Sequence, residues 1–518
     1  MYLTQGLHRS LQQRPNDIAV RFQGKGMSFA EYGERVARLA GALRALGVGA
    51  GDRVAMYSLN SARYLEYFLA VPWAGAVLNP VNTRWSTAEI LYSFDDSETA
   101  VMIVDDTFKE AGAKVAAASG SLRHVIYAGD GDTPQGMLNY ETLIAGHAPV
   151  EDAYRQGDDL AGVFYTGGTT GFPKGVMLSH VNLLWSASSS LMVGLGGDAR
   201  YLHAMPMFHL ADFACFVALT VSGGQHVVIP GVDLEAILRL VSEERITDIM
   251  LAPTIIHMLL GWMDQHPEQT AAFDLSSLKM LTYGASPMTP ALMARLREVF
   301  PAISFTQAYG MTELSPVATQ LLPQQHSQAF VENGRISSVG RAAPTVEVRI
   351  VDPEGREVPR GTTGEIAVRG PNVMLGYWNK PEATAEAIRD GWMHTGDGGY
   401  MDDEGYIFLV DRLKDMIISG GENVYSAEVE NALSSHPAVA QSAVIGIPDE
   451  KWGEAVHAII VLKPGQTTTL ESVQAHCRER IAGYKCPRSI EFRESLPLSG
   501  VGKVLKYQLR EEFRKKRE

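Results

Sequence analysis

Apolar positions along the first part of the chain recur at two periods in turn. Phe29, Tyr32, Val36, Leu39, Leu43 and Leu46 repeat at the spacing of one helix face. Ser28-Phe29-Ala30-Glu31 has the form of a capping box at its start, and Gly47 and Gly49 end it. Residues 53–57 then read as a short strand. The alternation continues with a helix near 61–73, strands near 100–104 and 124–127, a helix near 234–244 and a strand near 248–252. Strand and helix taking turns predicts parallel sheets covered by helices. From 345 to 369 the pattern changes to short β segments broken by Gly and Pro, which predicts a smaller β unit. A charged run, Asp411-Arg412-Leu413-Lys414-Asp415, separates apolar strands at 407–410 and 416–418 and is the best domain boundary. The expected fold is α/β. A large N-terminal domain (1–411) of two parallel-sheet units plus a small β unit precedes a small, mobile C-terminal α/β domain (412–518).

The length of 518 residues fits two or more domains, and 46% hydrophobic with 20% charged residues is an ordinary globular balance. The formal charge of -14 argues against a nucleic-acid partner. Residues 415–518 hold 14 Lys+Arg and 14 Asp+Glu, so the acidic surplus lies wholly before them, which is consistent with a separate C-terminal domain. The three cysteines, Cys215, Cys477 and Cys486, form no C-x-x-C, which fits a reducing compartment and no zinc site. No secretory leader is evident. The longest apolar run, 213–221, is far short of the ~20 residues that span a bilayer. The expectation is a soluble cytoplasmic protein.

The sharpest local signal is Tyr165-Thr166-Gly167-Gly168-Thr169-Thr170-Gly171-Phe172-Pro173-Lys174-Gly175, fed by an apolar strand at 160–165. Its glycines let backbone N–H groups approach an anion, its threonines add hydroxyl donors, and Lys174 adds charge. A generic Gly/Thr stretch is more often a surface loop, but the full string reads as a polyphosphate holder. It is not a Walker loop, because Pro173 and Gly175 flank the lysine. Gly194-Leu195-Gly196-Gly197-Asp198-Ala199 fits G-x-G-x-x-A but follows a helical segment, so a dinucleotide site is rejected. No H-E-x-x-H or G-x-S-x-G occurs. Cys215 in an apolar stretch near His209 is more readily core than nucleophile.

Eight motifs together, in order, resemble the adenylate-forming superfamily over essentially the whole chain. That superfamily includes acyl-CoA synthetases, aryl-CoA ligases, luciferases and peptide-synthetase adenylation domains. The motifs are the phosphate string, Met205-Pro206-Met207-Phe208-His209, Tyr283-Gly284-Ala285-Ser286, Gln307-Ala308-Tyr309-Gly310-Met311-Thr312-Glu313, Thr395-Gly396-Asp397, the 411–415 run, Ser419-Gly420-Gly421-Glu422-Asn423-Val424-Tyr425, and Gly502-Lys503. The stretch at 416–425 is most similar to stand-alone CoA ligases of fatty and related acids.

The resemblance implies ATP, Mg2+ and coenzyme A as reactants and cofactors. It makes Glu313 the Mg2+ ligand, since an oxygen donor suits that ion. It has Thr312 contact the α-phosphate, and Thr166, Gly167, Gly168, Thr169, Thr170, Gly171 and Lys174 hold the phosphates. Adenine falls between Tyr309, with Gly310, and the Gly284, Ala285 and Ser286 strip. Ribose falls to Asp397, with Arg412 beside it. His209 comes to the mouth of an acyl pocket, which Met205, Met207 and Phe208 could line. Lys503 becomes the cation that neutralises the attack on the α-phosphorus. Lys414 becomes a hinge, and Ser419, Gly420, Gly421 and Glu422 the loop for the CoA step. Two departures are Gly168, where Ser is common, and Ser426, where Pro is common; neither removes the backbone donors.

The implied reaction forms an acyl-AMP and then an acyl-CoA, with AMP and pyrophosphate released. The acid is expected to be a medium-chain fatty or small aryl carboxylate, since 205–209 contains no basic residue apart from His209 to pair with a diacid. One alternative loads a carrier protein instead of CoA; another is a non-catalytic nucleotide-binding protein. The expected partners are small molecules, with a homodimer left open.

Overall fold

Strands buried along their whole length form the middle of an eight-stranded sheet. Arg53–Tyr57, Val77–Pro80 and Thr99–Val104 have no exposed residue, as helices on both faces require. Arg53–Tyr57 lies parallel between the other two. His124–Tyr127 and Leu138–Asn139 extend one side in parallel. On the other side Leu160–Thr166 runs parallel to Val77–Pro80, and Lys174–Ser179 and Gly376–Tyr377 follow antiparallel. The computed structural model describes the chain except residues 167–172, 193, 287, 413–414, 420–421, 450–451, 500–502 and 517–518, and except the side chains of 411–412 and 422–423.

A nine-stranded sheet has six parallel strands, Ile18–Phe22, Gln225–Val228, Arg200–His203, Asp248–Leu251, Met280–Gly284 and Ser304–Tyr309. Lys25–Ser28 closes one edge antiparallel, and Thr319–Leu321 and Arg341–Ala342 close the other. The expectation of parallel sheets holds in the middle of both and at the His124–Tyr127 and Leu138–Asn139 edge, and is corrected at the other three edges. There the strands run antiparallel, some of them, like Lys25–Ser28, because a short connection folds the chain back on its neighbour. One core joins both sheets: the Phe213 ring lies 4.6 Å from Phe68 and 5.4 Å from Phe164. The capping box of helix Phe29–Ala45 forms as predicted, with Glu31 N donating to Ser28 Oγ and Ser28 N to Glu31 Oε2.

The smaller β unit is an antiparallel five-stranded sheet of Glu347–Val351, Gly364–Arg369, Trp392–Met401, Ile388–Arg389 and Ile407–Arg412. The chain changes sheet between Arg412 and Ile417. Ile417–Ser419, Glu422–Val424, Val439–Asp449, Gly453–Leu462 and Ser489–Phe492 form the C-terminal sheet. Helices Ser426–Ser434 and Leu470–Arg478 bury Val429, Leu433 and Val473 in one apolar cluster with sheet residues, and Leu509 of Lys506–Lys515 joins a second. Cys215, Cys477 and Cys486 are free and buried. Among the described residues no helix is long and apolar enough to cross a membrane, and no His/Cys/Asp/Glu cluster has the form of a metal site.

One buried charge cluster braces the N-terminal helices. The Glu66 side chain, in helix Ala62–Ala74, is 2% exposed. Arg35 Nε donates to Glu66 Oε1 at 2.6 Å and Arg35 Nη1 to Glu141 Oε2 at 2.9 Å; Tyr140 OH donates to Glu66 Oε2 at 2.7 Å. A buried carboxylate stripped of its cation is costly. Arg35→Met should lower the unfolding free energy by about 3–5 kcal/mol, read as a lower denaturation midpoint. An unchanged midpoint would show that Glu66 does not depend on the guanidinium.

Candidate functional site

The phosphate string is carried by two paired strands. Tyr165 stands opposite Gly175, and Thr166 opposite Lys174. The intervening Gly167, Gly168, Thr169, Thr170, Gly171 and Phe172 lie outside the described residues. Lys174 Nζ sits 5.0 Å from the centre of the Tyr377 ring, a cation–π contact that leaves a positive charge at the strand end. Tyr377 OH donates to Glu313 Oε1 at 2.8 Å. Glu313 is buried in the 3-10 turn Thr312–Leu314, whose Leu314 carbonyl accepts from Asn372 Nδ2 at 3.0 Å. Lys174, Thr312 and Glu313 are thus gathered by the segment around Tyr377. A buried carboxylate with one oxygen held by a phenol and a threonine beside it suits a hard divalent cation.

The strand ends Met280–Gly284 and Ser304–Tyr309 form the next wall. Gly284 pairs with Ala308 so closely that a Cβ on Gly284 would come 2.4 Å from the Ala308 carbonyl oxygen. Gly310 is tighter still, since a Cβ there would lie 1.9 Å from the Pro316 carbonyl oxygen. Ala285 has φ of 66°, a left-handed conformation that costs a residue with a Cβ and is concentrated at functional sites. The next residue, Ser286, has its Oγ buried without a hydrogen-bond partner among the described residues. Tyr309 OH donates to Asp397 Oδ2 at 2.8 Å, joining two motifs 88 residues apart. Asp397 is buried, and its N–H donates to Thr395 Oγ1 at 3.1 Å. Arg412 is its strand partner.

The third wall holds His209. Asn60 straps the segment before it, with Nδ2 donating to the Met205 carbonyl at 2.8 Å and Oδ1 accepting Met207 N at 2.8 Å. Met205, Met207 and Phe208 are buried. His209 precedes helix Leu210–Ser222 and stacks at a tilt on Phe208, centroids 4.2 Å apart; its buried Nε2 has no partner among the described residues. Burial, then the positive charges of Lys503 and Arg84, push its pKa down to about 3. Lys503 therefore stands in electrostatic range of His209. Ser499 N donates to the Lys503 carbonyl at 2.7 Å. Arg84 Nη1 donates to the Ser499 carbonyl at 2.8 Å, binding Ser499 to the large domain. Ser419 lies elsewhere, buried against Gly453 in the C-terminal sheet. Lys414, Gly420 and Gly421, and the side chains of Arg412 and Glu422, fall outside what is described. Cys215 is core, its Sγ 4.0 Å from Met250 Sδ, and burial pushes its thiol up to about 12.

A family model described as AMP-binding enzyme matches residues 7–378, and one described as AMP-binding enzyme C-terminal domain matches 428–503. The chain belongs to this family. Feruloyl-CoA synthase of an Amycolatopsis species is 41% identical over 508 residues, covering 98% of each chain. Indoleacetate–CoA ligase of Aromatoleum aromaticum is 37% identical over 516 residues, covering 99% of this chain and 98% of the relative. The crystal structure of an anthranilate CoA ligase in complex with anthranoyl-AMP superposes with a TM-score of 0.92 at 27% identity, covering 100% of this chain and 98% of the other. The chain is accordingly an AMP-forming acid–CoA ligase that uses ATP, Mg2+ and CoA.

Several residues around this family's motifs escaped the sequence reading. Tyr377 and Asn372 shape the Glu313 turn, and Arg84 binds Ser499, the hydrogen-bond partner of Lys503. Each belongs to a stretch without a chemical motif, and only the tertiary fold brings it to the site. The environment of His209 makes a direct prediction. Its imidazole should stay neutral between pH 8 and pH 5, so its ring NMR shifts should be flat over that range. A titration midpoint near the ordinary histidine value of about 6.5 would contradict this burial.

Proposed function

We propose that the acid is a monocarboxylate with a compact apolar body, an aryl or arylalkanoic acid first and a medium-chain fatty acid second. The observation that carries this is the charge pattern of the chain around His209. Residues 204–222 contain no Lys or Arg, and His209 itself is held neutral. The one carboxylate there, Asp212, accepts from His203 Nδ1 at Oδ2, 2.7 Å away. A second carboxylate on the substrate would find no cation on this helix and would bear an uncompensated desolvation cost. The feruloyl, indoleacetate and anthranilate substrates of the similar proteins have such apolar bodies.

In this reading a carboxylate oxygen of the acid attacks the α-phosphorus of ATP, and the bond to pyrophosphate breaks. The CoA sulfur then attacks the acyl carbon, and AMP leaves. Lys503 lies against the attacking carboxylate and the α-phosphate. Lys174, Thr166 and the 167–171 backbone hold the β- and γ-phosphates. Mg2+, which Glu313 would hold, would supply charge neutralisation at the phosphates, and Thr312 contacts the α-phosphate. Tyr309 and Gly310 face Gly284, Ala285 and Ser286 across adenine, and Asp397 with Arg412 takes the ribose. The Tyr309–Asp397 bond supports that assignment, because it sets the base-flanking ring beside the ribose acceptor. Preorganised charge of this kind is the main lever when the reactants themselves repel.

Residues 1–411 and 412–518 serve as core and lid. Lys414 is the pivot, and rotation about it replaces Lys503 with the 419–422 loop for the thioester step. The proximity of Lys503 to His209 supports the adenylate-forming arrangement for the observed structure.

A panel of cinnamic, benzoic, indoleacetic, C6–C12 fatty and dicarboxylic acids, with acyl-CoA detected by mass, tests the substrate class. Aryl and arylalkanoic acids should give the highest kcat/KM; preference for malonate or another diacid would overturn the proposal. Lys503→Ala should nearly abolish acyl-AMP formation and spare thioester formation from supplied acyl-AMP. Lys414→Pro, which fixes φ at the pivot, should do the reverse. Equal loss in both half-reactions for both variants would exclude two alternating arrangements.

A further inference from the structure

Asp96 has no place in the chemistry above, yet three lines of contact to the phosphate site meet on it. It lies in the last turn of helix Thr87–Ser97, with its side chain 13% exposed. Its Oδ2 accepts the Tyr165 hydroxyl at 2.6 Å. Its backbone carbonyl accepts Trp378 Nε1 at 2.9 Å and Asn379 Nδ2 at 3.4 Å. Its Oδ1 lies 3.8 Å from Lys380 Nζ.

Each contact leads to the phosphate string or its surroundings. Tyr165 is the first residue of that string, and its ring lies on Gly175, the last one. A Cβ on Gly175 would come 2.7 Å from Val163 Cγ1 and 2.9 Å from Tyr165 Cζ, so the string ends in glycine where both side chains press on the backbone. Trp378 N donates to the Gly175 carbonyl at 2.7 Å. Its neighbour Tyr377 holds Glu313 and carries Lys174 over its ring.

We propose that Asp96 is a positioning residue for ATP: by holding Tyr165 directly and Trp378 through its carbonyl, it fixes the paired ends of the phosphate string relative to Glu313. The proposal rests on reading residues 165–175 as the phosphate holder. Lys174 and Glu313 have to meet the phosphates and their Mg2+ together, and holding the strand ends around them in place beforehand lowers the cost of ordering the site and so tightens binding. The tyrosine is well suited to the task. Burial, reinforced by the neighbouring Asp96, raises its hydroxyl pKa well above the ordinary value, so it remains a donor. Trp378 has a second support in the Arg53 guanidinium, 5.0 Å from its ring centre. The Tyr165–Asp96 bond is therefore the more exposed to a single substitution.

The test is steady-state kinetics of the full-length enzyme with ATP, acid and CoA varied in turn. Tyr165→Phe and Asp96→Ala should each raise KM for ATP about tenfold, the scale of a lost hydrogen bond to a charged group. KM for acid and for CoA should stay within about twofold. The double variant should be no worse than Asp96→Ala alone. Asp96→Asn, whose amide oxygen can still accept the phenol, should recover most of the loss. Tyr165→Phe removes only one hydroxyl, so it keeps the test open even if Asp96→Ala fails to fold. Lys174→Ala checks the underlying reading separately: an unchanged KM for ATP there means that the string does not hold phosphate. If Lys174→Ala raises it while Tyr165→Phe does not, Asp96 has no positioning role. Additive effects in the double variant, or an equal rise in KM for the acid, would overturn the proposal as well.

Discussion

A carboxylate and a triphosphate repel each other, and an enzyme that joins them has to hold two anions at bonding distance. At 4 Å two unit charges of like sign cost about 1 kcal/mol in bulk water and about 4 kcal/mol at an effective dielectric near 20. Excluding water from the site raises that cost unless fixed positive charge replaces the solvent. Lys174 and Arg84 come from the large domain and Lys503 from the small one. The neutral state of His209 has a related origin, because an imidazolium away from water and near Lys503 and Arg84 would be doubly unfavourable.

The fold supplies the positions at little local cost. The middle strands of both sheets are apolar and buried, so their register is strongly specified. The functional segments leave those strands at their ends: Thr166 from one sheet, Gly284 and Tyr309 from the other. The smaller β unit contributes Asp397, and the Tyr309–Asp397 bond ties it to the nine-stranded sheet. At the site the backbone is strained at Ala285, whose φ is 66°, and closely approached at Gly310. Such strain persists only when the surrounding packing over-determines it.

Much of this architecture could be read from residue order. Periodicity located the helix Phe29–Ala45 and the strands Arg53–Tyr57 and His124–Tyr127, because a buried face imposes a regular spacing on its own element. The antiparallel edges escaped, since pairing direction depends on which strand becomes a neighbour and not on any one strand's pattern. The same limit applies to the site. Glu313 and Asp397 lie in strings whose chemistry is local and visible. Tyr377, Asn372, Arg84 and Asp96 make their contacts to the site through hydrogen bonds formed at long sequence separation, and an isolated Tyr, Asn, Arg or Asp carries no signature of that. The proposal of an apolar acid rests on a stretch without Lys or Arg that residue order shows directly. The shape of the acid's pocket was not legible, because that depends on how three elements pack.

The claim on which the account stands is that the acid's carboxylate attacks the α-phosphorus, with the positive charges gathered there for that step. Isotope transfer tests it directly. Acid labelled with 18O in both carboxylate oxygens is turned over with ATP, Mg2+ and CoA, and the AMP and pyrophosphate are analysed by mass. The account predicts one 18O atom in AMP for each thioester formed and none in pyrophosphate. Label in pyrophosphate or in inorganic phosphate, with unlabelled AMP, would contradict it.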